Sequence, residues 1–258
     1  MKPLSHNLIY GNWATLLLAT DSRGSLDFNK LEDEINVLID SKPNGIYSNG
    51  TACEFYSQTM DEFVAISEML SSHCEAAGVP YQIGVSHPCP HESLERLLAI
   101  KHLKPGAVQL ILPDWFPVND EAVLSFMQRM AEEAGEIPLV LYNPPHAKKV
   151  LHPEKWQMIK KVVPSLIGVK VFDNNCSAEW YAQMNANKEG VSVFVPGHHL
   201  ATGVVNGADG AYSNVACINP HAAQKWYELM KTDMEAALEL ESRIQAFMKE
   251  CIDPFIVV

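Results

Sequence analysis

The stretch PLVLYNPPHAKKVLHPEKWQMIKKVVPSLIGVKVF, residues 138–172, contains one complete strand–helix–strand unit. Its apolar runs PLVLY and LIGVKVF are continuous, as in strands that are buried on both faces of a parallel sheet. Between them, residues 153–163 read as a short helix that begins with proline, where the missing N–H costs little. Two such strands joined by a helix indicate an α/β fold.

The same alternation runs through the rest of the chain. Further apolar runs that we interpret as strands are WATLLLA (from Trp13), NGIYSNG (from Asn44), YQIGV (from Tyr81), AVQLILP (from Ala107), VSVFVPG (from Val191) and GADGAYS (from Gly207). Helical spacing marks residues 26–40, 58–77, 92–102, 121–134 and 178–187, a short segment near Ala201, and one long closing helix over 221–249. Eight such units in about 220 residues favour a closed (β/α)8 TIM barrel over a doubly wound sheet.

The domain organisation follows from this count. We predict the barrel over residues 1–219 and a C-terminal helical segment over residues 220–258. The apolar ending DPFIVV looks like the start of further structure, so we expect this segment to be incomplete.

The composition limits the partners of this chain. Hydrophobic residues make up 47%, which supplies a sizeable core, and the formal net charge of -12 repels a nucleic-acid backbone. No run approaches the ~18 consecutive apolar residues of a membrane span, so no membrane partner is expected. The six cysteines form no CxxC pair, as expected for reduced thiols inside the cell.

Lys170 is the most informative residue. In a barrel of this kind the active site lies at the C-terminal ends of the strands, and Lys170 stands inside the apolar run LIGVKVF. Burial disfavours the ammonium and lowers its pKa, and only the neutral amine attacks a carbonyl. From position alone, Lys170 is either such a nucleophile or a lysine that reaches solvent or pairs with a carboxylate.

Two other residues at strand ends could serve a lysine nucleophile. Tyr142 ends the run PLVLY, where its hydroxyl is either a satisfied core group or, beside an imine, a carrier of protons. Thr51 follows Gly50 in the tight turn SNGTACE, whose N–H groups could hold a carboxylate. Taken alone, that turn is more simply an ordinary strand-to-helix loop.

The segment HPCPH, residues 87–91, has the alternating side chains of a metal motif. Two prolines restrict its backbone and no partner cluster is evident in the sequence, whereas structural zinc sites assemble four ligands. We therefore predict no metal site.

Together these segments resemble the dihydrodipicolinate synthase/N-acetylneuraminate lyase family of class I, Schiff-base-forming aldolases. The similarity runs from Gly11 to Asn219. It rests on NGTACEF (49–55), VLYNPP (140–145), IGVKVF (167–172), PGHH (196–199) and GADGAYS (207–213), in the family's order.

The resemblance implies a mechanism. Lys170 would form an imine with pyruvate or a related 2-oxo acid, Tyr142 would be the acid and base, and Thr51 would contact the Tyr142 hydroxyl. No cofactor is implied, because the imine is itself the electron sink. The resemblance also implies a cytoplasmic homo-oligomer, a dimer or tetramer, that binds a 2-oxo acid and in some reactions an aldehyde. Further substrate contacts are expected from Gly50, Ala52, Asn143, Gly197, His198 and Tyr212.

Three departures from the family pattern bear on the substrate. Ala52 replaces a second hydroxyl residue in the loop after strand two, and Ala147 stands where the family's synthases carry an arginine. Trp115, which has no ionisable hydroxyl, stands where they carry a tyrosine shared between subunits. These differences disfavour the lysine-pathway synthase, 4-hydroxy-tetrahydrodipicolinate synthase, relative to a sugar-acid aldolase. They also leave open a barrel that binds a 2-oxo acid without turnover, although the retention of Lys170 and Tyr142 argues against it.

Overall fold

Eight parallel strands close into a barrel in the computed structural model, which describes residues 1–252. The strands pair in chain order and the eighth pairs with the first, which confirms the (β/α)8 barrel. They are β1 (Gly11–Thr15), β2 (Gly45–Ser48), β3 (Tyr81–Gly84), β4 (Ala107–Leu110), β5 (Leu139–Asn143), β6 (Leu166–Val171), β7 (Ser192–Pro196) and β8 (Gly210–Ser213).

The helices form the outer ring. They are α1 (Phe28–Asp40), α2 (Met60–Ala77), α3 (Pro90–Ile100), α4 (Asp120–Ala134), α5 (Trp156–Val162), α6 (Ala178–Asn187), α7 (Leu200–Val205), α8 (Asn214–Ile218), α9 (Pro220–Thr232) and α10 (Met234–Phe247). Local chemistry sets their ends. The Thr59 and Glu62 side chains form a reciprocal capping box at the start of α2, and Gly78 ends that helix with a φ of 68°.

The C-terminal region differs from the prediction of one long helix over residues 221–249. Asp233 leaves the helical conformation between α9 and α10, with φ -151° and ψ 86°, and its side chain accepts a hydrogen bond from the Ala236 N–H at the start of a new helix. The Trp226 indole N–H donates to the Ala237 carbonyl at 3.0 Å and holds the two helices together. Because α9 packs against β1 and α1, it completes the outer ring beyond the boundary predicted after residue 219. The ending DPFIVV lies outside the described residues.

The barrel interior is filled by a separate apolar layer. Tyr212 is at its centre, with its ring centroid 4.5 Å from that of Phe194, 5.2 Å from that of Tyr47 and 5.9 Å from that of Trp13. This aromatic layer blocks the barrel below the C-terminal ends of the strands. Any ligand therefore meets the chain at the mouth, as in other barrels of this fold. Among residues 1–252, no helix is long and apolar enough to cross a membrane.

Candidate active site

A cavity of about 380 Å³ opens at the C-terminal ends of the strands. Its walls come from six different strands or the loops that follow them. The lining residues are Thr15, Thr51, Ala52, Tyr142, Pro144, Pro145, Lys170, Val171, Phe172, Val195, Pro196, Gly197, Tyr212, Asn214 and Cys217. A larger cavity of about 480 Å³ lies beside it and shares Pro145, Val171 and Phe172, but Lys170 lines only the smaller one.

Lys170 lies on β6 among aromatic rings. Its Nζ atom is 4.1 Å from the ring centroid of Tyr142, 5.4 Å from that of Tyr47 and 5.5 Å from that of Tyr212. Within residues 1–252 it makes no ion pair with a carboxylate, the arrangement expected of a purely structural lysine. Burial disfavours the charged amine and lowers the pKa of Lys170 to about 8.

Such a pKa matters for reactivity. At pH 7 roughly one tenth of an amine with a pKa near 8 is neutral, about 300-fold more than for a lysine with a pKa of 10.5. The Cys217 thiol lines the same cavity as this amine. The barrel thus presents an amine with a substantial nucleophilic fraction near neutral pH.

Tyr142 lies directly across from Lys170. The two residues are register partners on the adjacent parallel strands β5 and β6, which keeps the phenol beside the amine. Burial raises the pKa of Tyr142, and a hydrogen bond with the Thr51 side chain acts in the opposite direction. The phenol is therefore protonated at neutral pH and can donate, and its conjugate base would be strong. The structure brings Thr51 to Tyr142, as the resemblance implies.

Thr51 and Ala52 begin a short 3-10 turn, Thr51–Cys53, at the exit of β2. The first N–H groups of a helical turn have no acceptor within the turn, so they can bind an anion. Gly50 does not line the cavity, contrary to the expectation of a substrate contact. A Cβ atom there would lie 2.5 Å from the Tyr47 ring, so Gly50 is needed for close packing over that ring.

Asn143 and His198 are also not among the residues that line the cavity, although both are predicted substrate contacts. The Asn143 amide donates to the Lys149 carbonyl at 2.8 Å and accepts from the Leu151 N–H at 2.7 Å. Its side chain therefore holds the loop after β5 and is not available to a ligand. The His198 ring lies 2.9 Å from the Asn214 amide nitrogen, measured from Nδ1. His198 therefore contacts Asn214, which lines the cavity, but does not line the cavity itself.

Tyr212 and Gly197 do line the cavity, but neither presents a side-chain hydrogen-bonding group to a ligand. The Tyr212 hydroxyl donates to the Gln82 side chain at 2.7 Å, so the ring face, not the hydroxyl, is left for a ligand. A Cβ atom at Gly197 would lie 2.5 Å from the Asn214 Oδ1 atom, so glycine is required there.

Tyr47 and Cys217 were not predicted as site residues, whereas Asn214 follows the eighth predicted strand, where site residues are expected. Tyr47 is fully buried, and its hydroxyl has no hydrogen-bonding partner among the described residues. Asn214 and Cys217 line the cavity from the segment that follows β8. No sequence signal distinguishes Tyr47 and Cys217 from core or helical residues, because their proximity to the site depends on the closure of the barrel.

The cavity contains no second cation. Among residues 1–252, Lys170 is its only charged lining residue, and Ala147 supplies no charge. Lys149, a possible substitute for the arginine of the family's synthases, pairs with Asp120 at 2.8 Å and is not part of the lining. Trp115 also lies outside the cavity, and 83% of its surface is exposed on the loop after β4.

The comparisons with known proteins cover nearly the whole chain. The family model described as the dihydrodipicolinate synthetase family matches residues 10–257. A 4-hydroxy-tetrahydrodipicolinate synthase from Methanococcus aeolicus is 29% identical over 200 residues, 77% of this chain and 68% of that protein.

Solved structures share the fold at lower identity. YagE, an E. coli prophage protein of the dihydrodipicolinic acid synthase family solved with pyruvate, superposes with a TM-score of 0.86 at 20% identity. The match covers 94% of this chain and 82% of YagE. A sialic acid aldolase from Ruminococcus gnavus superposes with a TM-score of 0.83 at 18% identity, over 94% of this chain and 80% of that one.

Proposed function

This chain belongs to the dihydrodipicolinate synthetase family, whose members are Schiff-base aldolases, and we propose that it is a lyase that acts through an imine between Lys170 and a 2-oxo acid. The observation that carries the proposal is the setting of Lys170. Its amine lies among three tyrosine rings in a half-buried residue and faces the Tyr142 phenol, and it has no carboxylate partner among residues 1–252.

Imine formation uses both residues. The neutral Nζ atom attacks the C2 carbonyl of the 2-oxo acid and forms a carbinolamine. Tyr142 donates its proton to the departing hydroxyl, so that water leaves and a protonated imine remains. This step leaves Tyr142 as a phenolate next to the new cation, where the opposite charges stabilise each other.

Bond cleavage then follows from the same pair. The Tyr142 phenolate accepts the proton of the C4 hydroxyl, the C3–C4 bond breaks, and its electron pair moves into the imine to give an enamine and an aldehyde. Protonation of the enamine at C3 and hydrolysis of the imine release the 2-oxo acid and the free amine. In the opposite direction the enamine attacks the aldehyde.

The substrate carboxylate is assigned to the turn at Thr51. The N–H groups at the start of Thr51–Cys53 point to an anion site, and Thr51 already contacts Tyr142. An anion there lies on the same side of the cavity as the acid–base residue. Ala52 contributes its backbone N–H but no hydroxyl.

The rest of the cavity favours a substrate with one carboxylate. Apart from Lys170 the lining offers only neutral groups, among them the Asn214 amide and the Thr15 hydroxyl, which suit hydroxyl groups of a sugar acid. We therefore infer pyruvate or a 2-keto-3-deoxy sugar acid. 4-Hydroxy-tetrahydrodipicolinate synthase is the alternative, because a relative at 29% identity has that name. A barrel that only binds its 2-oxo acid is the second alternative.

The assembly and location are part of the proposal. We propose a cytoplasmic homo-oligomer. Exposed aromatic side chains at Trp115 and Phe116, 83% and 70% accessible in the single chain, support an interface at the loop after β4. All six cysteines lie in the described residues as free thiols, which agrees with a reducing compartment.

Borohydride trapping tests the proposal. The protein is incubated with pyruvate and borohydride, and any adduct is located by mass spectrometry. We expect reduction to fix pyruvate on Lys170, no adduct in Lys170→Ala, and a normal adduct in the control Lys148→Ala, whose lysine is exposed on the loop after β5. An adduct at another lysine, or none in the wild type, would overturn the imine mechanism.

Turnover on a substrate panel separates the alternatives. Cleavage of 2-keto-3-deoxy sugar acids supports the proposed reaction, and condensation of pyruvate with aspartate semialdehyde supports the synthase. An adduct on Lys170 without turnover of either class supports the barrel that only binds.

A further inference from the structure

A second group of reactive side chains lies at the rim of the cavity, outside the catalytic residues. Asp173, Cys176 and His199 each place one potential metal-ligand atom within 4.8 Å of the others, and we call them the rim cluster. The His199 Nδ1 atom is 2.9 Å from the Asp173 Oδ1 atom, and the Cys176 thiol donates to Asp173 Oδ2 at 3.6 Å. Asp173 is fully buried, while the thiol is partly accessible.

The backbone that forms the rim cluster is strained. Asn174, Asn175 and Cys176 have φ values of 49°, 54° and 61°, so three consecutive residues other than glycine adopt the left-handed conformation. Residues other than glycine adopt this conformation rarely, and a run of three persists only where the surrounding structure imposes it. The turn brings the Cys176 thiol back onto the carboxylate three residues before it.

The charges around the rim cluster favour a cation. Glu241 of α10 is buried nearby, and it raises the pKa of the Cys176 thiol, as Asp173 also does. Neither carboxylate pairs with a lysine or arginine in the described residues. Glu241 accepts the Ala201 and Thr202 N–H groups, and the imidazole of His199 is the only partner of Asp173 that could carry a positive charge. Two buried carboxylates thus act on the Cys176 thiol, and neither has a lysine or arginine partner among residues 1–252.

The thiol is not set up as a nucleophile. Burial, together with Asp173 and Glu241, raises the pKa of Cys176 to about 12, whereas a reactive cysteine needs a lowered value. The same three side chains could instead act as metal ligands. Thiolate, imidazole and carboxylate together form a donor set that suits Zn²⁺, which is usually four-coordinate.

We propose that Asp173, Cys176 and His199 bind one Zn²⁺ ion, with water as the fourth ligand on the accessible side of Cys176. Binding releases the thiol proton to solvent, since zinc coordinates the thiolate. The Tyr181 hydroxyl, which donates to Asp173 Oδ2 at 2.8 Å, orients the carboxylate from behind.

The zinc would brace the cavity without entering the reaction. Asp173 follows Val171 and Phe172, and His199 follows Gly197, and all three of these neighbours line the cavity. A metal that joins the exits of β6 and β7 therefore holds two walls of the site together. This inference does not depend on imine chemistry, because metal binding is measured without a substrate.

The HPCPH segment, residues 87–91, also contains histidine and cysteine and serves as the control for the rim cluster. The His87 Nδ1 atom accepts the Cys89 N–H at 3.1 Å, and His91 lies 3.8 Å from Glu95. The side chains of this segment do not form a metal-ligand group in the structure, since the rim cluster is the only such group among the described residues. Cys89→Ser is therefore a matched control for Cys176→Ser.

Metal binding by purified full-length chain provides the test. After dialysis against zinc we expect one equivalent per chain by elemental analysis, and with Co²⁺ a thiolate-to-metal charge-transfer band in the near ultraviolet. Cys176→Ser should remove that band and lower the affinity for zinc by about 100-fold or more, because even outer partners of ligands change affinity roughly 10–100-fold. Tyr181→Phe should lower it by about 10-fold. Cys89→Ser should leave both properties unchanged.

A measurement on the wild type tests the proposal without variants, which could fail to fold. Zinc should slow alkylation of Cys176 by iodoacetamide, followed by peptide mass spectrometry, and should not change the rate at exposed Cys89. The proposal is wrong if no zinc binds, if zinc leaves Cys176 as reactive as before, or if Cys89→Ser and not Cys176→Ser abolishes binding.

Discussion

Placing a carboxylate beside Lys170 should move the pH range in which the imine forms. The Cys217 thiol lines the same cavity as Lys170. Burial raises the pKa of this thiol to about 11, so it is neutral in the wild type at pH 8. Cys217→Asp exchanges a neutral group for an acid that is charged when it pairs with the ammonium.

The expected magnitude follows from the lysine pKa of about 8. An opposite charge nearby moves a pKa by about 1–3 pH units, and here the movement is upward because the ammonium is stabilised. The midpoint for imine formation should rise to about 9 or above. At pH 7 the neutral fraction of Lys170, and with it the rate of trapping, should fall by about 10-fold or more.

Reductive trapping over a pH series measures this change. Pyruvate and cyanoborohydride are added between about pH 6 and pH 10, and the fraction of Lys170 in the reduced adduct is followed by mass spectrometry. Cys217→Ser is the control, since a neutral hydroxyl should keep the midpoint of the wild type. A midpoint in Cys217→Asp equal to that of Cys217→Ser would refute the assignment of the trapping rate to the neutral amine. A wild-type midpoint near 10.5 would refute the desolvation argument itself.

Three further predictions concern the same cavity and its support. Tyr142→Phe should still be trapped with pyruvate, but its turnover should fall about 10²–10⁴-fold; normal turnover would remove Tyr142 from proton transfer. Lys170→Met should raise the free energy of unfolding by about 3 kcal/mol at pH 7, because the lysine pKa is lowered from 10.5 to about 8. Between these two pKa values the unfolded chain binds more protons than the folded chain, so the stability of the wild type rises with pH there. The stability advantage of Lys170→Met should therefore vanish above about pH 10.5. Urea denaturation at a series of pH values measures this advantage, and an equal advantage at pH 7 and above pH 10.5 would contradict the prediction. Gly50→Ala should lower stability by about 1–3 kcal/mol, because its Cβ atom would overlap the Tyr47 ring, and thermal unfolding would show no loss if that contact relaxes freely.

Much of the fold was predictable because local patterns of apolar residues indicate the strands and helices of the barrel. Continuous apolar runs identify strands that are buried on both faces, and their number and spacing leave the closed barrel as the natural arrangement. The long closing helix was the main error. Asp233 interrupts an otherwise helical sequence, and the two helices on either side of it pack separately, α9 on β1 and α10 on α7.

Only those site residues that lie on neighbouring strands could be placed together from the sequence. Tyr142 and Lys170 lie at the ends of consecutive strands, so a parallel pairing brings them together without any other information. Asn143 is one residue further along, yet its amide turns to the loop backbone, which position in the sequence does not reveal. Whether a polar side chain faces the cavity or stabilises a loop depends on the loop's conformation.

By itself, then, the sequence determined the barrel, the lysine in its wall and the tyrosine beside it, because strand order and apolar periodicity are local properties. Only the tertiary structure showed that aromatic rings surround Lys170 and that no carboxylate in the described part of the chain pairs with it. It also placed Cys217 in the same cavity as the amine and joined Asp173 to His199, 26 positions away. These pairings arise from the closure of the barrel and the course of its loops, and the physical environment of a charge depends on what surrounds it in space.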